Sequence, residues 1–149
     1  MGAWMTVRLR RLVKEQSVPQ SKKEINNRRQ KRLAQNSDNP LEISGFDIDG
    51  VITAGIFPGP KDVIITGRSF QMANETNEML RKKKINNPVY FNPELRKDNT
   101  RASSGKWKAK MIKSIPKIKK FFEDDPIQAE IIEHETDVEL IYVISKQEK

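Results

Sequence analysis

The chain has 149 residues, no cysteine, one histidine and a hydrophobic fraction of 36%. This length suits one compact domain, and the lack of cysteine excludes disulfide frameworks, zinc ribbons and thiol nucleophiles. The apolar stretches are too short for a membrane-spanning helix, and the N-terminus lacks the apolar run of a secretory signal. We therefore expect a soluble protein with no membrane partner, located in the cytoplasm or inside a particle assembled in a cell.

The net charge of +8 comes entirely from residues 1–37. This segment has ten basic and two acidic side chains, whereas residues 38–149 have 18 of each. With so few apolar residues it cannot form its own core, so we predict a flexible or helical basic arm in front of a domain at 38–149. The arm either binds nucleic acid or another polyanion, or acts as a solubilising tail. The candidate nucleic-acid-binding residues are Arg8, Arg10, Arg11, Arg28, Arg29, Lys31 and Arg32.

From residue 39 onward, short apolar runs alternate with longer polar-apolar stretches, which is typical of a βαβ chain. Strands are predicted at 41–47, 62–66, 88–91, 118–123 and 137–144, and helices at 70–84, 104–115 and 126–135. Ser69 is the predicted cap of the first helix and Ser103 or Ser104 that of the second, while Pro126 suits the first turn of the third. Right-handed crossovers then favour an α/β fold with a five-stranded, mostly parallel sheet and helices on both faces.

Acidic residues end two of the predicted strands. The first strand runs into the sequence FDIDG (46–50), in which Asp47 and Asp49 are two residues apart. Residues i and i+2 of a strand point to the same side, so both carboxylates are expected to face one spot at its tip. The fourth strand ends in EDD (123–125). Two acidic strand tips brought together would repel unless a cation lay between them, and carboxylate oxygens suit Mg²⁺.

Two further segments contribute a hydroxyl and an amine. Thr66 follows an apolar run at the end of the second predicted strand, and Lys106 lies at the start of the second predicted helix. A carboxylate nucleophile, a metal site, a hydroxyl and a fixed cation are the groups that phosphoryl transfer requires.

Taken in chain order, these segments resemble the four motifs of the haloacid dehalogenase (HAD) superfamily of phosphohydrolases. The first motif, two aspartates one residue apart followed by glycine, is similar to residues 47–50. The second, a Thr or Ser after an apolar strand, is similar to Thr66, and the third, a lysine at a helix start, to Lys106. The fourth, an acidic pair after the next strand, is similar to residues 123–125. The resemblance covers about residues 41–144.

This resemblance implies a HAD-like, Rossmannoid three-layer domain and a phosphatase that works through an aspartyl phosphate. Asp47 would attack phosphorus, and Asp49 would protonate the leaving oxygen and later activate water. Mg²⁺ would be held by Asp47, the backbone carbonyl of Asp49 and an acid of the fourth motif, with Asp124 the first choice and Asp125 the second. The phosphate-binding residues would be Thr66, Gly67 and Lys106.

The chain departs from the usual family pattern in having no room for a cap insertion. Only 19 positions separate Asp47 from Thr66, and the 40 positions from Thr66 to Lys106 are used by one helix and one strand. The resemblance therefore implies a minimal capless form with an open site. Such a site cannot enclose a small metabolite by itself, so we expect a macromolecular phosphorylated substrate, such as a polynucleotide end or a phosphoprotein, or a partner that supplies the lid. The basic arm favours a polynucleotide or nucleotide phosphate. The alternative is a non-catalytic assembly component with a HAD-like scaffold, anchored to nucleic acid by its basic arm.

Overall fold

The computed structural model describes residues 4–9 and 42–145. The strands are β1 (Trp4–Leu9), β2 (Ile43–Phe46), β3 (Val63–Ser69), β4 (Val89–Asn92), β5 (Ile118–Glu123) and β6 (Glu139–Ser145). The helices are α1 (Ala73–Lys82), α2 (Arg101–Ser114) and α3 (Pro126–Glu135), with single helical turns at Ile48–Ile52, Phe70–Met72 and Arg96–Asp98. The prediction of an α/β fold is therefore confirmed. No helix within these two ranges has the length and hydropathy that a membrane crossing requires.

All these strands form one sheet in the order β1-β6-β5-β2-β3-β4. The five strands from β2 to β6 pair in parallel, as in Rossmann-like folds. The structure differs from the prediction at Trp4–Leu9, which forms a sixth strand and not a flexible or helical segment. This strand runs antiparallel along β6 and so pairs backbone groups that would otherwise form an open edge. The other candidate arm residues, Arg10, Arg11, Arg28, Arg29, Lys31 and Arg32, lie outside the described residues.

The sheet is covered on both faces, because successive side chains of a strand point in opposite directions. On one face, Val63 and Ile65 of β3 pack with buried residues of α2 and α3. On the other face, Ile64 packs with Leu80 of α1 and with the buried side chains of the turn Ile48–Ile52. The result is the predicted arrangement of a sheet between two helical layers.

The start of α2 differs from the prediction. Thr100 is its cap, and its hydroxyl accepts a hydrogen bond from the Ser103 backbone N–H at 2.9 Å, while the Ser103 hydroxyl accepts from the Thr100 N–H at 2.9 Å. This reciprocal pair is a capping box, so the prediction that Ser103 or Ser104 caps the helix is wrong. Pro126 begins α3 as predicted. Ser69 caps the single turn Phe70–Met72 that leads into α1, and α1 itself begins at Ala73.

The strand order creates a crevice at the carboxyl end of β2. From this central strand the chain continues to β3 and β4 on one side of the sheet, and later to β5 and β6 on the other. The turn after β2 joins one face of the sheet, whereas α3, which follows β5, joins the opposite face. Ligands of open α/β sheets bind at such a switch point, so the segments after β2 and β5 are where a site is expected.

Candidate active site

Three carboxylates meet at this crevice. Asp47 directly follows β2, Glu123 is the last residue of β5, and Asp124 comes next. One carboxylate oxygen from each lies within 4.8 Å of the other two. The structure therefore brings together the two acidic strand ends that the sequence indicated, and it adds Glu123, which the sequence analysis had not selected as a ligand.

A buried lysine lies between two of these carboxylates. The Nζ atom of Lys108 is 3.0 Å from Oδ1 of Asp47 and 2.7 Å from Oε1 of Glu123. The lysine is only 1% exposed. Burial opposes the charged form, but the attraction of Asp47 and Glu123 outweighs it and raises the pKa of Lys108 above its usual value. Lys108 is therefore a permanent cation at the bottom of the site.

One lysine does not balance three carboxylates. Burial first, and then the nearby charge of Asp47, raises the pKa of Glu123 well above its usual range, although Lys108 acts in the opposite direction. The same two causes raise the pKa of Asp124 to about 6. Both groups hold protons more tightly because their ionised forms are crowded and poorly hydrated. The excess of hard oxygen donors is a set that Mg²⁺ prefers, so the residues fit a divalent cation.

Asp49 lies outside this group. Its two carboxylate oxygens accept hydrogen bonds from the Arg68 guanidinium at 2.7 and 2.9 Å. Arg68 also donates to the Thr76 hydroxyl at 2.9 Å, which fixes the guanidinium against α1. The Asp49 side chain still lines the same cleft as Asp47. The metal-binding role of the Asp49 backbone carbonyl stays a prediction.

Asp125 is committed to other partners. Arg101 donates to its carboxylate in a close ion pair, and the Ile127 backbone N–H donates to it at 3.4 Å. Burial opposes ionisation of Asp125, but the hydrogen bonds from Arg101 and Gln128 outweigh it and lower the pKa of the carboxyl group. Asp125 thus caps α3, and of the two metal ligands that the sequence left open, the structure brings Asp124 to Asp47.

The lysine predicted for this site is not the one found there. Lys106 is exposed on α2, and Lys108, two residues later, makes the contact with Asp47. A signal for Lys108 was present in the sequence, because it is four residues from Ser104 and four from Ile112. All three residues lie on the buried face of α2.

Glu123 could also have been found from its strand. Phe121 and Glu123 are two residues apart in β5 and are both fully buried, so they lie on the same side of the sheet. A carboxylate that continues the buried face of a strand needs a charged partner, and Lys108 supplies it.

Of the predicted phosphate-binding residues Thr66 and Gly67, only Gly67 lines the cleft. The Thr66 hydroxyl is fully buried and accepts a hydrogen bond from the Arg68 backbone N–H at 3.0 Å. A Cβ atom on Gly67 would lie 2.8 Å from the Ser104 Oγ, so glycine here allows α2 to approach the strand end closely. The Gly67 carbonyl accepts from the Asn99 side-chain amide at 2.6 Å.

An open cleft of about 600 Å³ is lined by Asp47, Asp49, Gly67, Lys108 and Asp124, whereas Thr66 and Glu123 lie outside its lining. Several residues of the cleft were not predicted from the sequence, because all but Arg68 of β3 come from turns and helix starts that show no motif of their own. They are Arg68, Arg96, Asn99, Arg101, Ser104 and Gln128.

Comparison with models of protein families, with curated proteins and with solved structures gave no match for this chain. The chemistry available to the site therefore follows from its own geometry. The buried carboxylate of Glu123 and the half-buried carboxylate of Asp124 can hold a divalent cation beside the Asp47 carboxylate. Lys108 supplies one buried positive charge, and Arg68, Arg96 and Arg101 also line the cleft. Such a site can bind an anion next to a potential carboxylate nucleophile.

Proposed function

We propose that the chain is a Mg²⁺-dependent phosphoric monoester hydrolase of the HAD type, in a minimal capless form, with Asp47 as its nucleophile. One observation carries this proposal: carboxylate oxygens of Asp47, Glu123 and Asp124 lie within 4.8 Å of one another at the carboxyl ends of adjacent parallel strands. The buried ammonium of Lys108 lies 3.0 Å from Asp47 in the same place. The ordered motifs of the sequence support the same assignment.

Asp47, Glu123 and Asp124 would hold the Mg²⁺ ion. When bound, the ion would offset the charge of these carboxylates and of the phosphate oxygens. Lys108 would contribute a second positive charge without leaving its contacts with Asp47 and Glu123. Because Lys108 is held by two carboxylates, it would also fix the direction in which Asp47 presents its free oxygen.

The reaction would proceed in two steps. In the first, an Asp47 oxygen forms a bond to phosphorus, the ester P–O bond breaks, and its electron pair leaves with the alcohol oxygen, which takes a proton from Asp49. In the second, a water oxygen attacks the same phosphorus and gives a proton to Asp49. The bond from Asp47 to phosphorus then breaks, and inorganic phosphate and the free carboxylate are released.

The contact between Asp49 and Arg68 controls the acid step. Arg68 donates to both Asp49 oxygens, so Asp49 must release one of these hydrogen bonds before it can carry a proton to the leaving group. A phosphate in the cleft would compete for Arg68, because a guanidinium binds phosphate with the same two-point geometry as a carboxylate. Substrate binding would then free Asp49 for its role.

The test is hydrolysis of a simple aryl phosphate with Mg²⁺ and with a chelator. We expect Mg²⁺-dependent release of phosphate by the wild type, and a loss of about 10³-fold or more in kcat for Asp47→Asn, as for removal of other nucleophiles. Asp98→Asn is the control, because Asp98 is exposed and pairs with its neighbour Lys97. Equal rates for the wild type and Asp47→Asn would remove this assignment.

A non-catalytic role in nucleic-acid binding is the second candidate, because residues 1–37 carry the entire net charge of +8. Deleting the whole arm would also remove β1, which pairs along β6. Changing Arg28, Arg29, Lys31 and Arg32 to Gln leaves β1 intact. Loss of salt-dependent binding to nucleic acid in this variant, together with no hydrolysis by the wild type, would favour the second candidate.

A further inference from the structure

Three arginines line the cleft, each from a different element. Arg68 pairs with Asp49, and Arg101 pairs with Asp125. Arg96, in the turn after β4, has no carboxylate partner within residues 42–144. Its guanidinium donors are therefore available to an anion that enters the cleft.

Exposed apolar side chains adjoin residues that line the cleft. Phe70 is 49% exposed and directly follows Ser69, which lines the cleft. Leu95 is 39% exposed and directly precedes Arg96. Within residues 42–144 four large apolar side chains are exposed, and three of them, Phe70, Leu95 and Ile127, directly adjoin cleft-lining residues in the sequence. Phe70 and Leu95 therefore offer apolar surface next to residues that line the cleft.

Hydrogen bonds hold these two segments together. The Ser69 hydroxyl donates to the Glu94 carbonyl at 2.7 Å, and the Arg96 backbone N–H donates to the Gln71 side-chain oxygen at 2.8 Å. We call residues 69–72 and 94–96 the ledge. Because hydrogen bonds fix the backbone of the ledge before any ligand binds, ligand binding would cost little free energy for ordering these segments.

We propose that the ledge is a subsite for the nucleotide next to the reacting phosphate, and that the substrate is a single-stranded polynucleotide end. An unpaired base would stack on Phe70 against Leu95, and the adjacent phosphodiester would bind Arg96. This inference rests on the proposed function, and it adds the substrate class. A phosphopeptide has neither a planar base nor a second phosphate at a fixed spacing, so it does not fit the combination of Phe70 and Arg96.

The kinetic test compares two substrates that share the same reacting phosphate. These are thymidine monophosphate and a thymidine trinucleotide with a terminal phosphate, each in the 3′ and the 5′ form. We expect the wild type to prefer one trinucleotide by about tenfold in kcat/KM, the size of one stacked base. Arg96→Gln and Phe70→Ala should bring this preference close to one. The controls are Lys97→Gln and Phe57→Ala. Both should keep the wild-type preference for the trinucleotide, because Lys97 pairs with Asp98 and Phe57 lies in the loop after β2.

Several outcomes would overturn the proposal. A wild type with no preference for the trinucleotide would do so, as would ledge variants that keep the wild-type preference. If a phosphorylated tripeptide lost as much kcat/KM in the ledge variants as the trinucleotide does, the assignment to nucleic acid would be wrong.

A binding measurement separates failure of the subsite from failure of the proposed function. Fluorescence anisotropy of a labelled phosphorylated trinucleotide requires no turnover, and it can be measured in Asp47→Asn with and without the ledge changes. One outcome is that the wild type releases no phosphate while Arg96→Gln, added to Asp47→Asn, weakens trinucleotide binding about tenfold. In that case the proposed function fails and the subsite is supported. Equal dissociation constants for the trinucleotide with and without the ledge changes would contradict the proposed subsite.

Discussion

Gly50 lies directly against Asp124: a Cβ atom on Gly50 would be 1.9 Å from Oδ2 of that carboxylate. Gly50 also has a φ of +83°, a backbone conformation that disfavours residues with a side chain. Two independent reasons therefore require glycine after the Asp47-Ile48-Asp49 segment. Because Gly50 has no side chain, the Asp124 carboxylate can lie against its backbone. The end of β5 therefore comes close enough to the end of β2 for their carboxylates to form one group.

Replacing Gly50 by alanine should disrupt metal binding. Gly55 is a matched control because its φ is +98° and a Cβ atom there would meet nothing within 4 Å. Both Gly50→Ala and Gly55→Ala should lose about 1 kcal/mol in the free energy of unfolding from backbone strain. Only Gly50→Ala displaces Asp124, so only it should weaken Mg²⁺ binding in calorimetric titration. Equal Mg²⁺ affinity in the two variants would contradict this explanation.

Lys108 and Lys106 should differ sharply in their effect on stability. Lys108→Met leaves Asp47 and Glu123 buried without their cation and should cost about 3–5 kcal/mol in urea unfolding at neutral pH. Lys106→Met changes an exposed residue and should stay within about 0.5 kcal/mol. The loss for Lys108→Met should shrink at acidic pH, because protonated carboxyl groups need no cation. A larger loss for Lys106→Met would mean that the two lysines are assigned the wrong way round.

The pH dependence of stability should reflect Asp124. Burial and the charge of Asp47 raise its pKa from 3.8 to about 6, so the folded state binds this proton more tightly than the unfolded state. The resulting stabilisation is complete below about pH 4 and is lost as the pH rises through about 6. The free energy of unfolding without Mg²⁺ should therefore fall more steeply over this range in the wild type than in Asp124→Asn. An unchanged slope in Asp124→Asn would refute the assignment, and Asp98→Asn serves as the control.

The affinity for Mg²⁺ should change with pH in the opposite direction. Mg²⁺ competes with the proton on Asp124, so its affinity should rise as the pH increases through about 6. Asp124→Asn should bind Mg²⁺ more weakly and with a smaller pH dependence. Asp125→Asn should keep the wild-type affinity, because Asp125 pairs with Arg101 and asparagine still caps α3. Calorimetric titration at several pH values measures all three proteins, and equal weakening in the two variants would show that Asp125 is also a ligand.

Arg68→Lys should lower kcat without unfolding the protein. A lysine cannot make a two-point contact with a phosphate, so the substrate phosphate would be held less precisely and would free Asp49 less effectively. The Asp49 side chain is 61% exposed, and the loss in unfolding free energy should therefore stay under about 1 kcal/mol. Arg81→Lys is the matched control, since Arg81 pairs with Glu78 on the exposed side of α1. If both substitutions leave kcat unchanged, Arg68 does not control the acid step.

Most of the strands and helices between residues 42 and 145 could be predicted because each follows a local pattern of apolar and polar residues. β1 could not, since its partner β6 is more than a hundred residues away in the chain and Trp4–Leu9 belongs to a basic segment. The start of α2 was misplaced for a related reason. Thr100, Ser103 and Ser104 can all cap a helix, and only the backbone path decides which hydroxyl meets a free N–H.

The sequence by itself determined that two acidic strand ends would meet, because Asp47 and Asp124 follow strands that must run in parallel. It also contained the helical spacing that places Lys108 on a buried face. Only the tertiary structure decided which partner each carboxylate takes: Arg68 for Asp49, Arg101 for Asp125, and Lys108 for Asp47. Neighbouring aspartates are chemically alike in the chain, and an ion pair forms only over a few ångströms. The choice among them therefore depends on where the folded backbone brings each cation.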